Sequence, residues 1–469
     1  MSHRTQRCLI FLLAVSLAAL VACMAGPNYH RPQESLPSQF RNAPSAVNAA
    51  SIADTKWVDL FHDDALTQLV QTALRQNFDV RIAAERVLEA SAQVGLTRSQ
   101  LYPTVDLPAE FVASQSSAIG SFPFPGGKPF KTAYTQAGLS FSWEIDLWGR
   151  VRRLTEAARA QYLATEEAQQ GVRLSLIADV MTSYFALREQ DLELEIARQT
   201  RDAAQDSLRL VQLRRERGAA SGLEVHQAEQ FLYTATAQIA STERAINESE
   251  NALSLLLGRA PAAIPRGAGL EQLTGPPELP PGLPAALVER RPDIRLAEEN
   301  LVAANAQIGA ARALFFPQIS ITGFAGGQSR ALANLLTAPA RMVSIAPAAT
   351  LPIFHAGLRA GLHLTEAQQR EMLLAYEKTI YGALREVSDT LVAHEKSHEQ
   401  RQEEEKLVTA LSESVRLSNL RYRGGLDSYL QVLDAERNLF GGQLALAQLR
   451  LIELQSVVQL YRALGGGWQ

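Results

Sequence analysis

The feature that most constrains the fold of this chain is an internal duplication. Gly218 and Gly425 lie 207 positions apart (425 − 218 = 207), and other residues recur at the same spacing. The pairs are Gly218 with Gly425, Ser221 with Ser428, Leu223 with Leu430, Ala228-Glu229 with Ala435-Glu436, and Gly258 with Gly465. Recurrence at one fixed spacing over this length predicts a tandem duplication of one structural unit.

Each repeat contains one very long helical stretch. Residues 148–217 carry a helical pattern for about 70 residues, on the order of 100 Å at 1.5 Å per residue, which is far longer than a globular helix. The glycine-containing turn at 218–222 ends it, and a return helix runs to Gly258. The second repeat predicts a long helix over residues 357–423, a turn at 424–428 and a return helix to Leu464.

Shorter elements precede each long helix. A helix capped by Asp63 or Asp64 is predicted to run to about Gln100, and its counterpart over residues 285–316 ends before Pro317. The last helix of the chain keeps a 3-4 spacing of apolar residues, which predicts a coiled-coil seam with one charged member, Arg437. The seam positions are Leu430, Leu433, Arg437, Phe440, Leu444, Ala447, Leu451, Leu454, Val458 and Tyr461.

Between the helices the hydrophobic period changes from helical to two. Apolar and polar residues alternate over 105–113 and 137–146, and shorter segments at 319–322 and 342–354 follow in the second repeat. This alternation predicts four strands with one apolar and one wet face. Two interpretations remain open, a soluble β-hairpin in each repeat or the strands of an outer-membrane barrel. Membrane barrels need about eight strands, so a barrel would have to be shared between chains.

The N-terminus has the features of a secretion signal. Arg4 and Arg7 precede an apolar run over residues 8–22, which is shorter than the roughly 20 residues of a spanning helix. Leu20-Val21-Ala22-Cys23 resembles the cleavage site of bacterial lipoproteins, so we expect lipidation of Cys23. Met24 after the cysteine resembles lipoproteins that are sorted to the outer membrane. The alternative is an ordinary signal peptide with a stray cysteine.

Charge and cysteine content exclude several classes of function. The chain has 45 basic and 49 acidic residues, and removal of the signal leaves a net charge of about −6, which disfavours nucleic-acid binding. Cys23 is the only cysteine of the mature chain, so neither an internal disulfide nor a thiolate metal cluster is expected.

One motif points to an enzyme. His394-Glu395-Lys396-Ser397-His398 has the HExxH spacing of zinc proteases, but it lies in a helix dense with charge and the extension with a third histidine is absent. We expect a solvated helix face and no metal. The sequence has no glycine-rich phosphate loop and no Gly-x-Ser-x-Gly elbow, so no enzyme and no cofactor other than the covalent lipid is predicted.

Taken together, these features resemble the TolC-like outer membrane factors, closest to the lipoprotein (NodT-type) branch. The resemblance rests on the lipoprotein signal, the duplicated strand-strand-helix unit and three motifs, and it covers the whole mature chain. The motifs are Asp146-Leu147-Trp148-Gly149-Arg150, Leu433 to Arg437, and Ala463-Leu464-Gly465-Gly466-Gly467-Trp468.

The resemblance implies an α+β membrane protein that works as a homotrimer. Four strands from each chain would form one 12-stranded barrel in the outer membrane, continued by a long α-helical barrel in the periplasm. The implied function is the passive exit duct of a tripartite efflux pump, and the partners are a periplasmic adaptor and an inner-membrane RND-type transporter. A type I protein-secretion outlet or a metal-efflux outlet would have the same architecture. A structural trimeric coiled-coil surface protein and a zincin-like hydrolase are the alternatives from other classes.

The resemblance also assigns sites to the two helical turns. Leu430, Asp434 and Arg437 would line the closed periplasmic mouth, whereas the corresponding Leu223, Gln227 and Gln230 are expected mostly to pack. From spacing alone, Asp434 and Arg437 are a solvated pair on a helix surface, worth about 0.2–0.5 kcal/mol. The adaptor would dock on the tips, where both serines are also expected to cap the return helices. The predicted tip residues are Gly218, Ser221, Leu223, Gln227, Gly425 and Ser428.

The expected domain organisation follows the repeats. Residues 1–22 form the signal, 23–63 a lipidated extended arm, 64–258 the first repeat, 259–284 a proline-rich linker and 285–469 the second repeat.

Overall fold

A computed structural model of the chain describes residues 24–33, 35–42, 51–117, 131–273, 275–276 and 279–466. The signal peptide and Cys23 lie outside the described residues, as do the loop at 122–127 and the last two residues of the C-terminal motif. Contacts divide the chain into two compact units. Unit 1 comprises residues 1–32, 87–164 and 297–376, and unit 2 comprises 33–86, 165–296 and 377–469.

The helices follow the duplicated order. The long helices have 67 and 68 residues, and both return helices have 35 residues. No helix among the described residues is long and apolar enough to cross a membrane. The bounds are α1 Asp64–Gln76, α2 Phe78–Ser99, α3 Arg150–Glu216, α4 Gly222–Leu256, α5 Pro284–Arg290, α6 Pro292–Ala313, α7 Ala356–Arg423 and α8 Tyr429–Ala463.

The prediction of one helix from Asp64 to about Gln100 is wrong, because the helix breaks at Asn77. Asn77 has an extended ψ of 135°, and its side-chain Oδ1 accepts from the backbone N–H of Asp79 and Val80, at 2.8 and 3.1 Å. Its Nδ2 donates to the carbonyl of Leu256 at 2.9 Å. Asn77 therefore caps α2 and binds the end of a return helix at the same time. The predicted cap at Asp63 is confirmed by its bond to the N–H of Leu66 at 2.9 Å.

The second-repeat counterpart breaks as well, at Arg291. Pro292 opens α6, and a residue before proline is disfavoured in the helical region. Arg291 adopts ψ 122°, and its buried guanidinium donates to the carbonyl of Ala463 at 2.6 Å and to Glu386 at 2.9 Å. The α2 and α6 helices that follow the two breaks both have 22 residues.

The strands of unit 1 form one antiparallel sheet. Its order is β1 and β2 beside β3, then β4, then β5. The predicted first strand is confirmed but interrupted, since Pro108 has no N–H to donate to the ladder. β1 and β2 keep one register, because Asp106 pairs with Ser140 and Ala109 with Ala137. The bounds are β1 Thr104–Asp106, β2 Ala109–Gln115, β3 Lys131–Ile145, β4 Gln318–Ser329 and β5 Arg341–Thr350.

The two faces of this sheet differ in polarity. Residues paired across antiparallel strands share a face, so the rows Leu139-Ala325-Val343 and Val105-Phe141-Gly323-Ile345 form one apolar surface. The register that β1 and β2 share places Leu107 opposite Leu139 on this surface. Five of these side chains are more than half exposed: Val105, Leu107, Leu139, Val343 and Ile345. The row Asp106-Ser140-Phe324-Ser344 lies on the other, mostly polar face.

Candidate functional site

The turns that end the two long helices have the same backbone geometry. Gly218 and Gly425 have φ of +73° and +75°, a conformation that glycine adopts without strain. The N–H of Ala219 donates to the carbonyl of Arg214, and that of Leu426 to Arg421, at 2.8 and 2.9 Å. These are Schellman motifs, so the predicted glycine stops are confirmed at both turns. A Cβ placed on either glycine would meet no atom within 4 Å.

The caps of the two return helices differ. Ser221 forms a capping box with Glu224, in which each side chain accepts from the other residue's backbone N–H. Ser428 occupies the predicted N-cap position of α8, but its side chain does not make the expected cap hydrogen bond. Gln431 occupies the position of Glu224, and an ion pair between Arg421 and Asp427 closes this turn instead. The first tip therefore carries a capping box, and the second carries an exposed ion pair.

Behind the tips, four helices of unit 2 pack around one apolar cluster. Phe231 of α4 and Phe440 of α8 meet edge to face at 6.5 Å, and Tyr422 lies 5.6 Å from Tyr429. Arg214 of the first repeat stacks over the Tyr422 ring at 4.3 Å and donates to its carbonyl at 2.8 Å. This contact joins the end of α3 to the end of α7. The predicted seam of α8 is buried at Leu433, Phe440, Ala447, Leu454, Val458 and Tyr461, whereas Leu444 and Leu451 are half-buried and Leu430 and Arg437 are exposed.

The predicted gate residues lie on the side of α8 that faces away from this cluster. Leu430 is 51% exposed, and Asp434 and Arg437 are exposed as well. The structure brings the three together at successive turns of one helix face. Nη2 of Arg437 donates to Oε1 of Gln230 at 3.1 Å, while Asp434 accepts from Asn438 at 3.4 Å. Arg437 and Gln230 are equivalent residues of the two repeats, so this bond joins α8 to α4 across the duplication.

The corresponding face of α4 is also open. Leu223 is 67% exposed and Gln227 is half-buried. Leu223 is thus more exposed than Leu430, and the packing expected of this side chain is not present within one chain. Both tips present one exposed leucine at the start of the return helix.

A largely buried carboxyl group lies behind the second tip and was not predicted from the sequence. Glu436 accepts from the hydroxyl of Ser207 at 3.1 Å, and its Oε2 is shielded from solvent. Burial raises the pKa of Glu436 above the usual glutamate range. The duplicated Ala-Glu pair could have signalled this position, but the equivalent Glu229 bonds His226 on its own helix instead.

The two histidines of the HExxH motif bond residues of α8. Nδ1 of His394 lies 2.9 Å from the Ser456 hydroxyl, and Nδ1 of His398 lies 2.6 Å from Glu453. Glu395 instead pairs with Lys396 on the exposed side of α7. The described residues contain no group of three or more ligating side chains placed to hold a metal ion.

Comparisons with known proteins define the class. Residues 69–259 and 283–466 match the family model of outer membrane efflux proteins. The chain is 39% identical to the solvent efflux pump outer membrane protein SrpC of Pseudomonas putida, over 97% of both chains. It is 34% identical to the probable outer membrane lipoprotein SilC of Salmonella typhimurium, over 97% of this chain and 98% of SilC.

Solved structures agree with the sequence relatives. The open state of the MtrE outer membrane channel of Neisseria gonorrhoeae has a TM-score of 0.84 and 32% identity, over 95% of this chain and 99% of that one. The chain therefore belongs to the outer membrane efflux protein family. It is the outer-membrane component of an efflux pump, and its duplication, matched as two segments, is confirmed.

Proposed function

We propose that this chain forms a trimeric exit duct through the outer membrane, gated at the helical tips of unit 2. The observation that carries the proposal is the exposed apolar face of the sheet in unit 1. Side chains such as Val343 and Ile345, which are 75% and 69% exposed, would lose contact with water in a lipid bilayer. Apolar burial of this kind contributes about 25 cal/mol per Å².

The edges of the sheet support closure with other copies. β1 and β2 lie at one edge and β5 at the other, and all neighbouring strands are antiparallel. Exposed edges present unpaired backbone groups, which a closed barrel satisfies. Counting β1 and β2 as one interrupted strand, each chain contributes four strands. An even number lets β5 of one copy pair antiparallel with β1 and β2 of the next, so three copies would give twelve strands.

The gate would be built from three copies of the exposed face of α8. Three Asp434 carboxylates brought to one axis repel each other and attract cations, as rings of acidic side chains do in channels. Leu430 would close the mouth by apolar contact. The Arg437–Gln230 bond would hold the two return helices of each chain together while the mouth is shut.

The tips themselves would receive the adaptor of the pump. Small residues at Gly218 and Gly425 face open space, so another helical hairpin can approach the backbone closely. Ser221, Leu223 and Gln227 on the first tip and Ser428 on the second would line the same contact. The adaptor would connect this chain to an inner-membrane RND-type transporter.

Cys23 would carry the lipid that anchors the mature N-terminus in the outer membrane. The relative SilC of this chain is named a probable outer membrane lipoprotein, and the residues before Cys23 have the small, apolar character of a lipoprotein cleavage site. No enzymatic step is proposed, and substrates would pass passively.

Reconstitution tests the proposal. Purified chain in planar bilayers is expected to give discrete, cation-selective channels, and its mass in detergent should be that of a trimer. A monomer without conductance would refute the exit duct. A trimer without conductance would contradict the channel function but agree with the predicted assembly. Mass and conductance are therefore measured on one sample.

A further inference from the structure

The residues that directly follow Cys23 are bound in a specific site of unit 1. Residues 24–31, named here the strap, contact the start of α3 and the side of α6. The N–H of Ala25 donates to the carbonyl of Trp148 at 3.0 Å, and Met24 lies against Gly149, close enough to contact any added Cβ. Trp148 and Gly149 follow directly after the end of β3 at Ile145.

A buried arginine binds the strap by hydrogen bonds. Arg153 of α3 is 2% exposed, and its Nε donates to the carbonyl of Ala25 at 3.2 Å. Its Nη2 donates to the carbonyl of Gly26 at 3.4 Å and to Oδ1 of Asn28 at 2.9 Å. Glu156 on the same helix balances the charge at 2.8 Å. A buried guanidinium is costly unless its donors are satisfied, and here the strap satisfies three of them.

The α6 side of the site fits the strap by shape and charge. Gly26 has φ +89° and lies on Gly309, where a Cβ on Gly26 would come within 2.4 Å of the Gly309 Cα. Asn305 donates to the carbonyl of Pro27 at 3.2 Å. Both Tyr29 and Arg31 bond the carboxylate of Glu298, which is 13% exposed. Such a set of contacts distinguishes the strap from a flexible tether, which would make none.

We propose that this groove is a recognition site for the segment behind the lipidated cysteine, and that it fixes where the lipid enters the membrane. Met24 is held beside Gly149, and consecutive Cα atoms are about 3.8 Å apart. The groove therefore holds the chain beside the end of β3 from Met24 onward, so acyl chains on the preceding cysteine would enter the bilayer at the base of the sheet. By holding the lipid anchor next to the sheet, the strap links anchoring of the chain in the membrane to insertion of the strands. The proposal rests on the lipidation of Cys23 proposed above.

The test compares variants of the full-length, membrane-extracted protein by hydrogen exchange of the strap amides. Arg153→Lys keeps the charge but loses the fork of donors. We expect strap amides to exchange about tenfold faster, as for the loss of a charge-assisted hydrogen bond, with α3 unchanged. Arg159→Lys on the exposed side of the same helix is the matched control. Glu298→Gln with Asn305→Ala, which weakens the strap from the α6 side, serves where Arg153→Lys does not fold.

The second measurement is the fraction of each variant inserted in the outer membrane. Strap variants are expected to insert severalfold less than Arg159→Lys, and Cys23→Ser should add little to that loss because lipid and strap act in one device. Unchanged exchange in both strap variants, or insertion equal to the control, would overturn the proposal. Palmitate labelling of Cys23 measures lipidation separately. If Cys23 is not labelled while the strap amides still exchange slowly, the lipidation proposal fails and binding of the strap does not.

Discussion

At the scale of single residues, the second tip differs from the first in charge. Leu430, Asp434 and Arg437 share an exposed face, and Arg437 is bonded to Gln230 of the other repeat. In an assembly with threefold symmetry, each of these side chains would occur three times around the axis. Repulsion between the acidic groups would then make the closed state depend on a few contacts, which single substitutions can remove.

The first prediction concerns the gate. Asp434→Ala combined with Arg437→Ala removes the acidic ring and the Arg437–Gln230 bond between the return helices. Loss of that bond outweighs the relief of carboxylate repulsion, so the open state becomes more populated. We expect single-channel conductance in planar bilayers to rise severalfold. Gln227→Ala, at the first-repeat position equivalent to Asp434, is the control and should leave the conductance as in the wild type. Unchanged conductance in the double variant would contradict the assignment of Asp434 and Arg437 to the gate.

The second prediction concerns Glu189, which is 7% exposed in α3. Burial, followed by the neighbouring Glu193, raises the pKa of Glu189 well above its usual value. The pKa of Glu189 is higher in the folded than in the unfolded chain, where it is about 4.3. The contribution of Glu189 to the free energy of unfolding is therefore fully present below about pH 4.3 and is lost as pH rises through the folded-state pKa. Glu189→Gln stays neutral, so its free energy of unfolding at pH 8 should exceed that of the wild type by about 1–3 kcal/mol.

Thermal denaturation followed by circular dichroism at pH 5 and pH 8 measures this difference. The stabilising effect of Glu189→Gln should be smaller at pH 5 than at pH 8. Glu195→Gln, an exposed position six residues further along α3, should show little change at either pH. An effect of equal size at both pH values would show that packing, and not ionisation, is responsible.

At the scale of elements, the two turns combine a fixed backbone with an empty surface. Positive φ at Gly218 and Gly425 demands glycine or a residue that tolerates the left-handed region. The surrounding space would accept a side chain. The effect of backbone strain and the effect of side-chain size can therefore be tested separately at Gly218 and Gly425.

The third prediction uses that separation. Gly425→Asn tolerates positive φ and adds a short side chain, whereas Gly425→Trp fills the space in front of the tip. We expect Gly425→Trp to abolish drug efflux at normal protein level, because the adaptor hairpin can no longer approach, and Gly425→Asn to retain most of it. The same pair at Gly218 should behave alike. Full resistance in the tryptophan variants, measured as the minimal inhibitory concentration, would contradict adaptor docking at the tips.

At the scale of the whole molecule, the sheet of unit 1 has the features expected of the proposed shared barrel. Its apolar face is exposed and its two edges are free in the described part of one chain. Neighbouring residues of β5 lie on opposite faces, so they offer matched sites for testing which face meets lipid.

The fourth prediction compares Ile345→Arg with Ser344→Arg. An arginine on the lipid face of a membrane strand costs about 2–4 kcal/mol at the bilayer midplane, so Ile345→Arg should reduce the outer-membrane fraction of the chain. Ser344→Arg is expected to insert normally and to shift ion selectivity towards anions, since it would face the lumen. Fractionation and reversal potentials measure the two effects. Equal insertion of both variants would refute the assignment of the faces.

The local features of this chain were predictable from its sequence because they depend on neighbouring residues. The glycine stops at 218 and 425, the cap at Asp63, the period-two strands and the buried seam of α8 each follow from spacing over a few positions. The duplication added the order of elements, since two copies of one pattern reinforce each other.

Tertiary structure decided the features that depend on distant partners. The helix break at Asn77 places its side chain on the Leu256 carbonyl, 179 positions away. Ser428 stands at the N-cap of α8 without a side-chain bond, in a turn where Arg421 pairs with Asp427. Arg153 stands in a charged run that resembles a solvated helix start, yet the folded strap buries it. Local propensity extends over only a few residues of the chain, whereas burial and hydrogen-bond satisfaction are settled only when distant segments meet.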